Sequence, residues 1–146
     1  MPAPATLDRW SARAARLALG AAFLSAVASR FGLWQGHLSL QRFAEFIQYT
    51  GEVNAFLPKA LHPFLAWAAT AAETSCGLAL VTGFRPRETA LASAALLTLF
   101  GTAMALSQGI KSPLDYSVFS AAGAALLLWR HQAREQPARA PSGAEG

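Results

Sequence analysis

The chain has 146 residues, of which 53% are apolar and only 14% charged, with a mean hydropathy of +0.30. Soluble domains carry about 25% charged residues and disordered chains need low hydrophobicity with high charge, so the first class fits poorly and the second is excluded; one cysteine, Cys76, excludes an internal disulfide scaffold. A net charge of +4 with a pI near 10.0 would first suggest nucleic acid in a soluble protein, and the placement of the charges decides whether it does here.

In chain order, residues 1–11 read as an N-terminal arm and the first apolar run as residues 12–34. Arg9, Arg13 and Arg16 before a short apolar core, with Ala26-Val27-Ala28 after it, resemble a secretory signal and its cleavage site. Apolarity continues through Phe31 to Trp34, which favours a retained helix ending in an interfacial aromatic. An amphipathic segment follows at 39–57, with Leu40, Phe43, Phe46 and Ile47 on one helical face. It is expected to cap the other helices or lie on the membrane surface; packing is the simpler role, a lid the sharper one.

The second run, 61–82, holds one acid, Glu73, and stops at Gly83-Phe84-Arg85-Pro86-Arg87. The third, 88–107, includes eighteen consecutive uncharged residues from Thr89 to Leu106. Ser112-Pro113-Leu114-Asp115 reads as a helix start, with serine as cap, proline in the first turn and the acid facing free N–H groups. It opens a fourth run, 113–130, ending at Arg130-His131, and 131–146 reads as a disordered tail.

All four runs reach or approach the ~20 residues that a spanning helix needs. Buried helices of a soluble bundle keep a polar outer stripe, and Thr89–Leu106 has none, so the expected fold is an all-α integral membrane four-helix bundle. Four spans put the N-terminus, the 83–88 turn and the tail on one side. That side then holds eight basic residues against four acids, and the other side four against four. The surplus is a topology signal that puts both termini in the cytoplasm, and nucleic acid drops out as a partner.

Glu73 is the most informative residue, because an acid near mid-span costs at least ~2.5 kcal/mol on insertion scales. It shares a small and polar helical face with Ala66, Ala69, Thr70, Cys76 and Gly77. Matching stripes are Ala94, Thr98, Gly101, Ala105 and Gln108 in the third run and Ala18, Ala22, Ser25 and Ser29 in the first. These three faces are expected to meet around Glu73. The bland role is packing, with a neutral, protonated Glu73 hydrogen-bonded to Thr98 or Ser25; the sharper one is proton handling or ligand binding. Arg30 either snorkels outward or reaches in to Glu73 or Asp115. With His62, Gln108, Lys111, Asp115 and Tyr116 it forms a polar collection at the outer helix ends, where a site opening away from the cytoplasm would be built. His37, His62 and His131 are too scattered for a metal set, and no catalytic motif is present.

Three pieces of sequence carry a family resemblance: Pro63-Phe64-Leu65-Ala66-Trp67, the Glu73–Gly77–Gly83 run ending in Arg85 and Arg87, and Ser107-Gln108-Gly109-Ile110-Lys111-Ser112-Pro113-Leu114-Asp115-Tyr116-Ser117. Over about residues 14–129 the chain resembles the DoxX-like family of small four-helix bacterial membrane proteins. The family's acid in the second span matches Glu73, and its basic residue near the end of the first matches Arg30. The resemblance implies an inner-membrane protein in a redox neighbourhood, an accessory or quinone-binding component with membrane or periplasmic redox proteins as partners. No cofactor of its own is implied, and self-association is left open. The residues alone equally fit a small-molecule or lipid binding or transport protein without redox function, or a structural membrane subunit.

Overall fold

A computed structural model of the chain describes residues 4–135. Six α-helices and two short 3₁₀ turns make up the architecture, with no strand among the described residues: α1 (Pro4–Arg30), α2 (Leu40–Val53), α3 (His62–Thr82), α4 (Pro86–Gln108), α5 (Lys111–Asp115) and α6 (Val118–Glu135), the 3₁₀ turns being Leu33–Gln35 and Lys59–Leu61. Long uncharged runs of Ala and Leu favour the helices, and the stops are local. Gly83 ends α3 in the left-handed region (φ 76°), where its N–H and that of Phe84 both donate to the Ala79 carbonyl. Pro86 then opens α4, where its missing N–H costs no hydrogen bond. On α2, the Ser39 hydroxyl caps the N-terminus by accepting from the Arg42 N–H.

Two contacts set the packing. Helices α1 and α3 cross closely at Gly20 and Gly77: a Cβ on Gly20 would stand 2.8 Å from Val81 Cγ2, and one on Gly77 2.9 Å from the Leu24 side chain. Helices α4 and α6 run alongside each other, and a Cβ on Gly101 would stand 2.7 Å from the Phe119 ring. Leu19 and Phe23 of α1, Leu80 of α3, Ala90 and Ala94 of α4, and Ala125 and Leu128 of α6 join these pairs in one core cluster. Helix α2 lies across the far ends. Its terminal Val53 carbonyl accepts from Ser107 Oγ of α4 at 2.7 Å, and its Gly51 leaves room for the His62 ring at the start of α3.

The outward surface is apolar. Residues 8–30, 59–82 and 86–108 are long and apolar enough to cross a membrane, yet only 17–28% of each apolar stretch is buried within the protein. Leu78, Leu91, Leu99, Leu106 and Leu127 all point outward. A surface like that belongs in lipid, where the backbone must be satisfied internally. Even the hydroxyls comply: Thr74, Ser75, Thr82, Thr98 and Thr102 each donate to a carbonyl four residues back, at 2.7–2.8 Å.

The structure departs from the sequence reading at four places. Helix α1 starts at Pro4, so most of the expected 1–11 arm is helical, as its alanines and leucine allow. Residues 131–135, expected to open the tail, continue α6, because Gln132, Ala133, Arg134 and Glu135 are good helix formers; 136–146 lie outside the described residues. The run 113–130 is not one helix. Helix α5 closes at Tyr116, Ser117 turns left-handed (φ 55°) and α6 begins afresh, while Ser112 sits inside α5 instead of capping it. Finally, α1 buries Leu19, Gly20 and Phe23, and leaves Ala18, Ala22 and Ser29 exposed. One glycine suffices for the close crossing, and the larger apolar side chains fill the space beside it.

Candidate functional site

The site grows from the α1–α3 crossing. Glu73 lies about 16 Å along α3 from His62, on the buried edge shared by Ala66, Thr70, Gly77 and Leu80. Arg30 is the last residue of α1. The tight crossing lets its side chain reach the Glu73 level, where Nη2 meets Glu73 Oε2 at 2.5 Å, with the two side chains only 12% and 5% exposed. Arg30 Nη1 donates to Thr70 Oγ1 at 3.2 Å, and the Thr70 hydroxyl donates in turn to the Ala66 carbonyl at 2.8 Å. A charge taken out of water survives only when it is compensated; here Glu73 and Arg30 pair with each other, and Thr70 accepts a hydrogen bond from the guanidinium.

Helix α2 covers the pair. Phe46 lies under the Arg30 guanidinium, 3.9 Å from ring centroid to Cζ, well inside cation–π range. Phe43 beside it stacks on Phe31 at 5.1 Å and meets Trp67 at 4.3 Å, tying α2 to the end of α1 and to α3. Phe31, Phe43, Phe46 and Trp67 thus form an aromatic wall beside the ion pair. Arginine carries five N–H donors, so beyond Glu73 and Thr70 the guanidinium retains capacity for a further acceptor.

The residues singled out in the sequence divide into two groups. Arg30, Thr70 and Glu73 come together, and Arg30 takes the place expected of Thr98 or Ser25 as the partner of Glu73; Thr98 is exposed on α4 and donates its hydroxyl to the Ala94 carbonyl. Gln108, Asp115 and Tyr116 lie apart on the exposed α4–α5 corner. Gln108 Oε1 accepts from Ser112 Oγ at 2.8 Å, and Asp115 pairs with Lys111 one helical turn away. Tyr116 is exposed, but its neighbour Tyr49 on α2 is not fully so: burial first, then Tyr116 and Glu52, push the Tyr49 hydroxyl above the usual tyrosine range. Phe46 was read only as part of an apolar face. An aromatic at that position, in a helix following a span that ends in arginine, was the available signal for its contact with Arg30.

Among the described residues, no group of three or more His, Cys, Asp or Glu is placed to hold a metal ion. Lipid-facing helices built around a buried ion pair define a small multi-helix membrane protein. A family model described as "Methylamine utilisation protein MauE" matches residues 8–115. The match covers most of the chain, including Arg30, Thr70 and Glu73, so the chain belongs to the MauE family. No curated protein and no solved structure matches it.

Proposed function

We propose that this MauE-family protein is an accessory subunit of a membrane redox system, acting in the bacterial inner membrane with four crossings and both termini cytoplasmic. The DoxX-like kinship read from the motifs belongs to the same proposal. In this reading α5 and α6 together complete the fourth crossing, and the eight-to-four split of basic residues sets the orientation. The Arg30–Glu73 region recognises a quinone headgroup, or a small solute of similar polarity, approaching from the outer side. Partners are membrane or periplasmic redox proteins, and the family description places the relatives in methylamine utilisation.

One observation carries the reading: a buried arginine with donors to spare, lying on Phe46 and beside an aromatic wall. A quinone is a flat ring bearing carbonyl acceptors, so the donor set and the ring surfaces fit it. When bound, a quinone accepts electrons and protons; Arg30 would orient a carbonyl, Glu73 would hold Arg30, and Phe43 and Phe46 would shield the ring from water. The test is binding of a short-chain benzoquinone to the purified protein, followed by tryptophan quenching. Glu73→Gln is expected to weaken binding at least tenfold, with Thr98→Ala unchanged; unaltered affinity in Glu73→Gln contradicts the site.

A second reading has its own support. Thr70, Glu73 and Phe46 already engage Arg30 from three directions, which suits a structural clamp between α1, α2 and α3. A lipid or solute carrier without redox function shares the same site and differs only in what the binding experiment selects.

A further inference from the structure

The cover over the Arg30–Glu73 pair differs with direction. Helix α2 lays Phe46 on the guanidinium, while Gln41, Glu45 and Gln48 fall on its other side and are exposed. The helix is tied down at both ends: the Ser39 N–H donates to the Phe31 carbonyl at 2.8 Å, and the Val53 carbonyl accepts from Ser107 Oγ at 2.7 Å. A solute arriving past that polar side would have to lift a fastened helix.

In another direction a file of rings leads away from the pair. Phe46 lies on Arg30, Phe43 follows at 6.0 Å from Phe46, and Trp67 at 4.3 Å from Phe43, centroid to centroid. Phe31, next to Arg30 in the chain, joins the same group at 6.3 Å from Trp67. Trp67 also stands one helical turn before Thr70, whose hydroxyl accepts from Arg30. Exposure rises along the file, from 4% at Phe43 to 54% at Trp67, and Phe64, one turn before Trp67, is 69% exposed. Both exposed rings lie on a helix apolar enough to cross a membrane, so the file joins a buried cation to the lipid. That gradient fits a ligand with two parts: a flat head whose acceptor oxygens meet Arg30, and an apolar tail that follows the rings into the bilayer and stays out of water. A small polar solute would leave the outer rings unused.

We propose that the ligand of the Arg30–Glu73 site is a tailed amphiphile drawn from the bilayer, with its ring at Arg30 and its apolar tail along Phe43, Trp67 and Phe64, so that Trp67 and Phe64 determine specificity. The inference rests on the ligand-binding reading of the pair, and the experiment separates the two. Full-length protein in liposomes is titrated calorimetrically with a decyl-substituted benzoquinone and with the same ring carrying methyl instead. Affinities are expressed against quinone concentration in the bilayer, so that partition alone gives no preference. Wild type is expected to bind the decyl compound at least tenfold more tightly. Trp67→Ala with Phe64→Ala should bring the two compounds within twofold and leave the methyl compound bound as in wild type. Trp67→Leu, a milder change, should lower the preference at least threefold. Leu99→Ala with Leu106→Ala, on the exposed face of α4, keeps it. Equal affinity of wild type for both compounds overturns the tail site and leaves the Arg30–Glu73 reading standing. Equal loss of preference in the α3 and α4 variants overturns it too, by showing a diffuse effect of apolar surface. Binding of neither compound overturns both readings.

Discussion

Two ion pairs in this protein share their chemistry and differ in almost everything else. Arg30–Glu73 joins two apolar helices, with side chains 12% and 5% exposed, whereas Lys111–Asp115 lies along a single turn of α5 at 84% and 56%. The first pair cannot fall back on water, so each member depends on the other and on Thr70 and Phe46. The second is hydrated whether or not it forms. Burial, more than distance, therefore decides which pair organises the structure and which merely decorates a helix end.

The largest expected effect breaks the buried pair. Glu73→Ala or Arg30→Ala alone leaves an uncompensated charge and should cost about 3–5 kcal/mol, read from unfolding by denaturant titration in detergent micelles. The close crossing that lets Arg30 reach Glu73 comes next. Gly77→Leu drives new atoms into the Leu24 side chain and should cost about 1–3 kcal/mol in the same titration. Phe46→Leu keeps the apolar packing and removes the cation–π contact, for about 0.5–2 kcal/mol. Lys111→Ala should sit at the other extreme, about 0.3–0.5 kcal/mol or less; a loss matching that of Glu73→Ala would dissolve the contrast between the pairs.

The smallest effect is a titration. The chain has only two tyrosines, Tyr49 and Tyr116, so absorbance at alkaline pH in a Tyr116→Phe background reports Tyr49 alone. Tyr49 should ionise above the usual value of 10.0, and Tyr116→Phe should lower it only part of the way, because burial is the larger cause. The folded state holds its proton longer than the unfolded one, so this group's contribution to stability falls as pH rises above about 10. A Tyr49 that titrates normally would mean that its hydroxyl is better hydrated than its place on α2 implies.

Much of this arrangement was readable from residue types. Glu73 announced itself as the lone acid in an apolar run, and its buried edge with Ala66, Thr70 and Gly77 follows from helical spacing. The amphipathic pattern of Leu40, Phe43, Phe46 and Ile47 pointed to a helix, and α2 is there. The choice of partner for Arg30 was not readable, because Glu73 and Asp115 are equally acidic on paper and only the Gly20–Gly77 crossing selects between them. The α1 face was misjudged for a related reason. Small residues permit close approach but do not compel it, and Leu19 and Phe23 gain more by burial than Ala18 and Ala22 do. The break between α5 and α6 carries no glycine or proline at its pivot; Ser117 adopts a left-handed conformation that its residue type does not advertise.

The central functional claim is that the Arg30–Glu73 pair recognises a ligand as well as joining helices. Replacing both members at once, Arg30→Met with Glu73→Leu, tests it most directly, because a buried pair exchanged for apolar residues of similar size is often neutral or stabilising. The double variant should unfold at or above the wild-type midpoint and yet bind a short-chain benzoquinone at least tenfold more weakly. Wild-type affinity in a stably folded double variant would contradict the claim and leave the pair as a structural clamp.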